Sequence, residues 1–218
     1  MALADYIGKY WAGAEVMYGV IIAMTFTSVL RGYPVVFEFI LTKVILAALL
    51  CCIAWGVADG LFYCWERNYI IRHENKIIEF SKSPENAGSA VDLIGEQLDD
   101  TILRNIPPDN RTLLYEKLVS YLSAVGGREK LTSREAATII GGTFILSATA
   151  GLIVVCPFFF INNVVRALAV SNLFGIFLLF GVGYFRAIEK DTFSRLLMGF
   201  GSSMIGIIIA GITVVLGG

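Results

Sequence analysis

Residues 47–68 read AALLCCIAWGVADGLFYCWERN, an apolar run long enough to cross a membrane, with one carboxylate, Asp59, two turns before its polar end. A charge inside hydrocarbon costs roughly 2.5–3.5 kcal/mol on insertion scales, so an intramembrane acid is a functional residue by default. On a helix, Cys52, Asp59 and Glu66 recur every seven residues with Gly56 and Tyr63 beside them, so one face is small or polar. Leu49, Leu50, Ile53, Val57 and Leu61 fill the other faces and suit lipid or neighbouring helices. Two roles are open to Asp59. It pairs with a tyrosine or tryptophan donor in a packing helix, or it lines a cation path.

The composition agrees with a membrane setting. Of 218 residues, 56% are hydrophobic and only 16% charged, and the charges are gathered rather than spread. A net charge of −1 without basic patches interleaved with aromatics argues against nucleic acid as a partner. The four cysteines have no CxxC spacing, so they read as small apolar residues rather than a zinc site or disulfide framework. His73 is the only histidine, and no nucleophile–base set accompanies it, so no enzyme chemistry and no cofactor is expected. Residues 1–12 hold Asp5 and Lys9 but no basic segment leading into a cleavable apolar one, so no signal peptide is expected.

Taken in order, the chain predicts an all-α polytopic membrane protein with five spans. A short start with Tyr6, Ile7, Tyr10 and Trp11 suits a membrane interface. The spans cover about 12–30, 43–65, 135–160, 167–185 and 193–216. Arg31-Gly32-Tyr33-Pro34 ends the first, and Cys156-Pro157 the third, because proline lacks a donor and disfavours helix before it. The domains are then 1–65 (spans one and two), 66–134 (polar helices) and 135–218 (spans three to five). Within 66–134 the pattern predicts three helices: one to Ser81, one opened by Ser89 and Asp92 and running to about Asn105, and one capped by Asp109. Leu113, Leu114, Leu118 and Leu122 repeat at helical spacing in the last.

Orientation follows from the basic residues. Lys9, the 66–134 region and Arg186, Lys190 and Arg195 hold all but Arg31, Lys43 and Arg166 of the chain's 17 lysines and arginines. The positive-inside rule therefore places the amino terminus and the polar region in the cytoplasm. The expected location is an integral membrane one, a prokaryotic inner or plasma membrane or a vacuole-type membrane.

Candidate ligands fall in two groups. Glu15, near the inner end of the first span, and Asp59, in the inner half of the second, share one depth in this topology, and paired carboxylates suit a divalent cation or a proton exchanged for it. Met17 and Met24 share a face, but Met17 lies about 200° around the helix from Glu15, which favours a core-filling role. In the polar region Asp92, Glu96 and Asp99 stand at i, i+4 and i+7 on one helix face beside Asp100, as a weak divalent-metal site or a solvated face. Gly199, Ser202, Ser203, Gly206 and Ala210, with Gly141, Gly142 and Gly151, form small-residue stripes that predict close helix contacts and a homodimer.

The layout, with Gly141-Gly142-Thr143-Phe144-Ile145 and Cys156-Pro157-Phe158-Phe159 in the third span and glycines through the last, resembles the vacuolar iron transporter (Ccc1-like) family. Where that family usually shows Asn-Asp-Gly, this chain has Met17-Tyr18-Gly19, with Glu15 one turn earlier. Its Ala-x-Gly-Glu-Tyr run corresponds here to Ala58-Asp59-Gly60-Leu61-Phe62-Tyr63, and its Glu-x-x-Glu pairs to Glu96-Gln97-Leu98-Asp99. The resemblance implies a dimer that moves ferrous iron or manganese out of the cytoplasm in exchange for protons. Glu15 and Asp59 would be on the path, and Asp92, Glu96 and Asp99 at a cytoplasmic capture site. Two rivals stand beside it: a membrane scaffold presenting its helical region to a soluble partner, and a small cation channel.

Overall fold

The computed structural model describes residues 6–32, 37–187 and 190–217, and these are helical with no strands among them. The helices are α1 (Lys9–Ser28), α2 (Phe37–Ser81), α3 (Ala87–Leu98), α4 (Pro108–Leu122), α5 (Ser133–Val155), the single turn α6 (Pro157–Phe160), α7 (Val164–Arg186) and α8 (Thr192–Gly217). Short 3-10 turns follow α1 (Val29–Gly32) and flank α3 (Pro84–Asn86 and Ile102–Asn105). The chain divides into two compact units, one of residues 1–64 with 133–218 and one of residues 65–132.

Among the described residues, four helical stretches are long and apolar enough to cross a membrane: Ile40–Ser81, Ser133–Phe160, Val164–Arg186 and Thr192–Ile209. α1, the first of the five expected spans, is not one of them. Glu15, Tyr18 and a run of threonines and serine lower its hydropathy, and its apolar middle is spent on protein contacts. Val20, Ala23 and Met24 have no exposure, and α5, α7 and α8 pack around this helix. A helix at the centre of a bundle does not need the lipid-compatible surface that an outer one does. Of the break expected at residues 31–34, Arg31 and Gly32 close the 3-10 turn that follows α1, and Tyr33 and Pro34 lie outside the described residues.

The membrane unit is held by close backbone approaches at glycine. A Cβ on Gly19 would stand 2.5 Å from the Ser147 carbonyl oxygen, and one on Gly56 2.8 Å from both Phe144 Cα and the Thr143 carbonyl oxygen. Around this crossing Ser147 Oγ donates to the Cys52 carbonyl at 2.9 Å, and the Cys52 thiol donates to the Gly19 carbonyl at 3.4 Å. Small residues where lipid supplies no hydrophobic drive between helices are what such packing requires. The stripe on the last span is occupied within the chain: Gly199 packs on Phe180, Gly206 on Leu179, and Ser202 on Gly183, all between α8 and α7. Of the glycines expected to pack on the third span, Gly151 meets Cys52, whereas Gly141 has open space around it.

The second unit is a three-helix cluster made by the end of α2 with α3 and α4. Ile77, Ala90, Ile94, Tyr115 and Val119 form its buried centre. Two helix starts differ from the sequence expectation. Pro108, which has no N–H to leave unsatisfied, takes the first position of α4 after Pro107, so Asp109 lies in the first turn and complements the helix dipole instead of capping. Likewise α3 begins at Ala87, which puts Ser89 inside its first turn. That helix stops at Leu98 because the Thr101 hydroxyl donates to the Leu98 carbonyl at 2.6 Å and accepts from the Leu103 N–H, starting a separate 3-10 turn. The segment after α4 is tied back by Asn75, which bonds both the carbonyl and the N–H of Arg128, and by an Arg128–Glu74 ion pair at 2.7 Å.

Asp99 is a structural residue of this unit. It accepts from the buried Tyr115 hydroxyl at 2.8 Å and pairs with Arg111 at 2.9 Å. Burial, then the Asp99 carboxylate, pushes the Tyr115 phenol above its ordinary range. Asp99→Ala is therefore expected to destabilise the unit by about 1–3 kcal/mol, since it orphans a buried donor. Amide hydrogen exchange across 87–122 in the full chain checks this, and Asp92→Ala and Glu96→Ala, at exposed positions, should leave protection unchanged.

Candidate functional site

α1 and α2 face one another antiparallel, and three tiers of side chains meet between them. Trp11, Glu15 and Tyr18 share a face of α1 at i, i+4 and i+7, while Trp55, Asp59 and Tyr63 share a face of α2 at i, i+4 and i+8. At one end Trp11 meets Tyr63 edge-on, with ring centroids 6.1 Å apart. At the other, Tyr18 meets Trp55 edge-on at 5.5 Å. Between the two aromatic tiers the carboxyl groups of Glu15 and Asp59 lie within hydrogen-bonding reach of each other.

The glycines seat both helices that carry the acids on α5. Gly19 is one turn beyond Glu15, and Gly56 and Gly60 flank Asp59; a Cβ at Gly60 would stand 2.6 Å from Ile140 Cα of α5. Both α1 and α2 thus reach backbone contact with α5. Thr143, which forms the wall against Gly60, turns its hydroxyl to the carbonyls of Ile139 and Ile140 in its own helix and leaves the acids alone.

Glu15 has no exposure at all. Its Oε1 accepts a long hydrogen bond of 3.3 Å from the Tyr63 hydroxyl, and its Oε2 is enclosed with no donor. Asp59 is half-buried. Two neighbouring carboxylates cannot bond each other without a proton, and a charge on the enclosed Glu15 is costly unless a proton or a cation offsets it. Either a proton shared between the two carboxyl groups or a cation between them would satisfy the pair.

The sequence singled out both acids, and the structure brings them together. Met17 stands away from them, with its sulfur 3.7 Å from Arg186 on α7, and Met24 is buried against Gly175. The second set does not converge: Asp92 and Glu96 are exposed, and Asp99 is committed to Arg111 and Tyr115. Among the described residues no group of three or more histidine, cysteine or acidic side chains is placed to hold a metal. Sequence reasoning missed the aromatic tiers. Their signal was present as acid and ring residues one helical turn apart on both helices, but which rings would pair depends on the register of α1 against α2.

A second concavity lies within the 65–132 unit. It is an apolar groove of about 380 Å³ whose walls include Ile77, Ile78, Ile94, Leu98 and Leu118, with Arg128 and Glu74 among its polar lining. Compared with known proteins, the chain matches no family model and no curated sequence.

Proposed function

We propose that this protein is a membrane transporter of cations and that Glu15 and Asp59 hold the cation midway. The observation that carries the reading is the fully enclosed Glu15 Oε2, which lacks a donor in a carboxyl group that neighbours a second one, Asp59. In a membrane such an arrangement is costly unless a cation or proton visits it. In this proposal α1 is a fifth span, shielded by the other helices, and residues 66–134 lie in the cytoplasm. Ferrous iron and manganese, leaving the cytoplasm against protons, are the first cargoes to assay. Reconstituted vesicles loaded with a metal-sensing dye should show saturable flux that depends on an opposing pH gradient. Flux equal to that of empty vesicles for every cation tried would end the transport reading.

The orientation has its own check. Protease added outside right-side-out vesicles should leave residues 66–134 intact and cut them once the membrane is opened. Cleavage from outside would reverse the topology.

The groove in the second unit favours one other reading, a scaffold that receives an apolar segment of a soluble partner. The two readings separate cleanly. A scaffold keeps partner binding when Asp59 is neutralised and loses it when Leu118 is replaced by a charged residue. A transporter behaves the other way round in flux.

A further inference from the structure

Resting on the transport reading, we propose that the site between α1 and α2 takes an organic ammonium ion rather than a metal. A divalent metal of the manganese or magnesium type asks for about six oxygen or nitrogen ligands and gives up its water reluctantly. Here it would find two carboxyl groups and the Tyr63 phenol. Above and below them, where further oxygen donors would be needed, stand the rings of Trp11 and Tyr63 on one side and Tyr18 and Trp55 on the other.

An alkylammonium has the opposite requirements. Its charge is spread over apolar carbon, so it loses water easily, and aromatic faces attract it through their quadrupoles. An edge-on ring pair leaves ring faces unstacked, and the enclosed Glu15 Oε2 supplies the counter-charge. Neither element suffices alone: two acids without rings would hold a proton, and rings without acids would hold a neutral ligand as well. Trp11 and Trp55 are 54% and 42% exposed, so both rings are open to the surroundings while Glu15 is not.

The test uses the full chain in mild detergent with tetramethylammonium and manganese as probes. A Trp65→Phe background leaves only Trp11 and Trp55 to report by emission. Tetramethylammonium is expected to change that emission saturably and manganese to compete poorly. Trp55→Leu should weaken tetramethylammonium by about tenfold, and Trp55→Phe should recover most of that, because a phenyl face still attracts a cation. In vesicles, tetramethylammonium flux should vanish with Asp59→Asn. Manganese flux without tetramethylammonium binding would overturn this inference and leave cation transport standing. If neither probe binds nor crosses, both readings fall. Unchanged tetramethylammonium affinity in Trp55→Leu would remove the rings from the site.

Discussion

Vesicles carrying Asp59→Asn are expected to lose cation flux while the protein keeps its fold. Asparagine preserves the shape and an acceptor oxygen but removes the charge that, with Glu15, holds the cation. Truncating one member of a buried charge pair costs about 2–5 kcal/mol, or roughly 30-fold and upward in binding. Glu15→Gln should act in the same direction and more strongly, because Glu15 has no exposure and Asp59 is half-buried, so water compensates Asp59 in part. Folding should not suffer in either variant, since removing one of two adjacent like charges relieves repulsion. Melting temperatures at or above wild type, together with lost flux, are the expected pair of results. Wild-type flux in both variants would make the acids structural, with Tyr63 as the hydrogen-bond donor to Glu15.

A larger effect on the fold itself is expected from one methyl group at the three-helix crossing. Gly56→Ala places a carbon 2.8 Å from Phe144 Cα and the Thr143 carbonyl oxygen, both backbone atoms that cannot rotate away. Gly19→Ala meets the Ser147 carbonyl oxygen at 2.5 Å. Overpacking a tight core costs about 1–3 kcal/mol and at times more, and α1 or α2 could answer only by moving off α5, which would disturb the helices that carry Glu15 and Asp59. Each single variant should lower the melting temperature in detergent and reduce flux together. Gly181→Ala is the matched control. A Cβ there meets nothing within 4 Å, and alanine favours helix over glycine by about 1 kcal/mol. Its melting temperature should stay level or rise.

The helices were largely legible from the sequence because hydrophobic length and proline placement act locally. The 66–134 region was legible for the same reason, as repeats such as Leu114 and Leu118 follow helical spacing. What escaped were features set by a partner far along the chain. Asp99 lay on one face with Asp92 and Glu96, yet its bonds go to Arg111 and Tyr115, 12 and 16 residues on. The small stripe of α8 was visible, but not that α7 of the same chain would fill it. For the candidate site, Glu15 and Asp59 stood out by the cost of their charge. The rings around them did not, because aromatics are ordinary in a membrane sequence until the antiparallel register pairs Trp11 with Tyr63 and Tyr18 with Trp55.

The Cys52 thiol has a consequence of its own. It is fully enclosed, its hydrogen points at the Gly19 carbonyl, and a Cβ on Gly151 would stand 2.6 Å from its sulfur. A maleimide cannot touch that sulfur while α1, α2 and α5 stay together. Its alkylation is therefore a clock for the bundle: the slower it ticks, the more rarely these three helices part, and any cargo that must pry them open to pass should make it run fast.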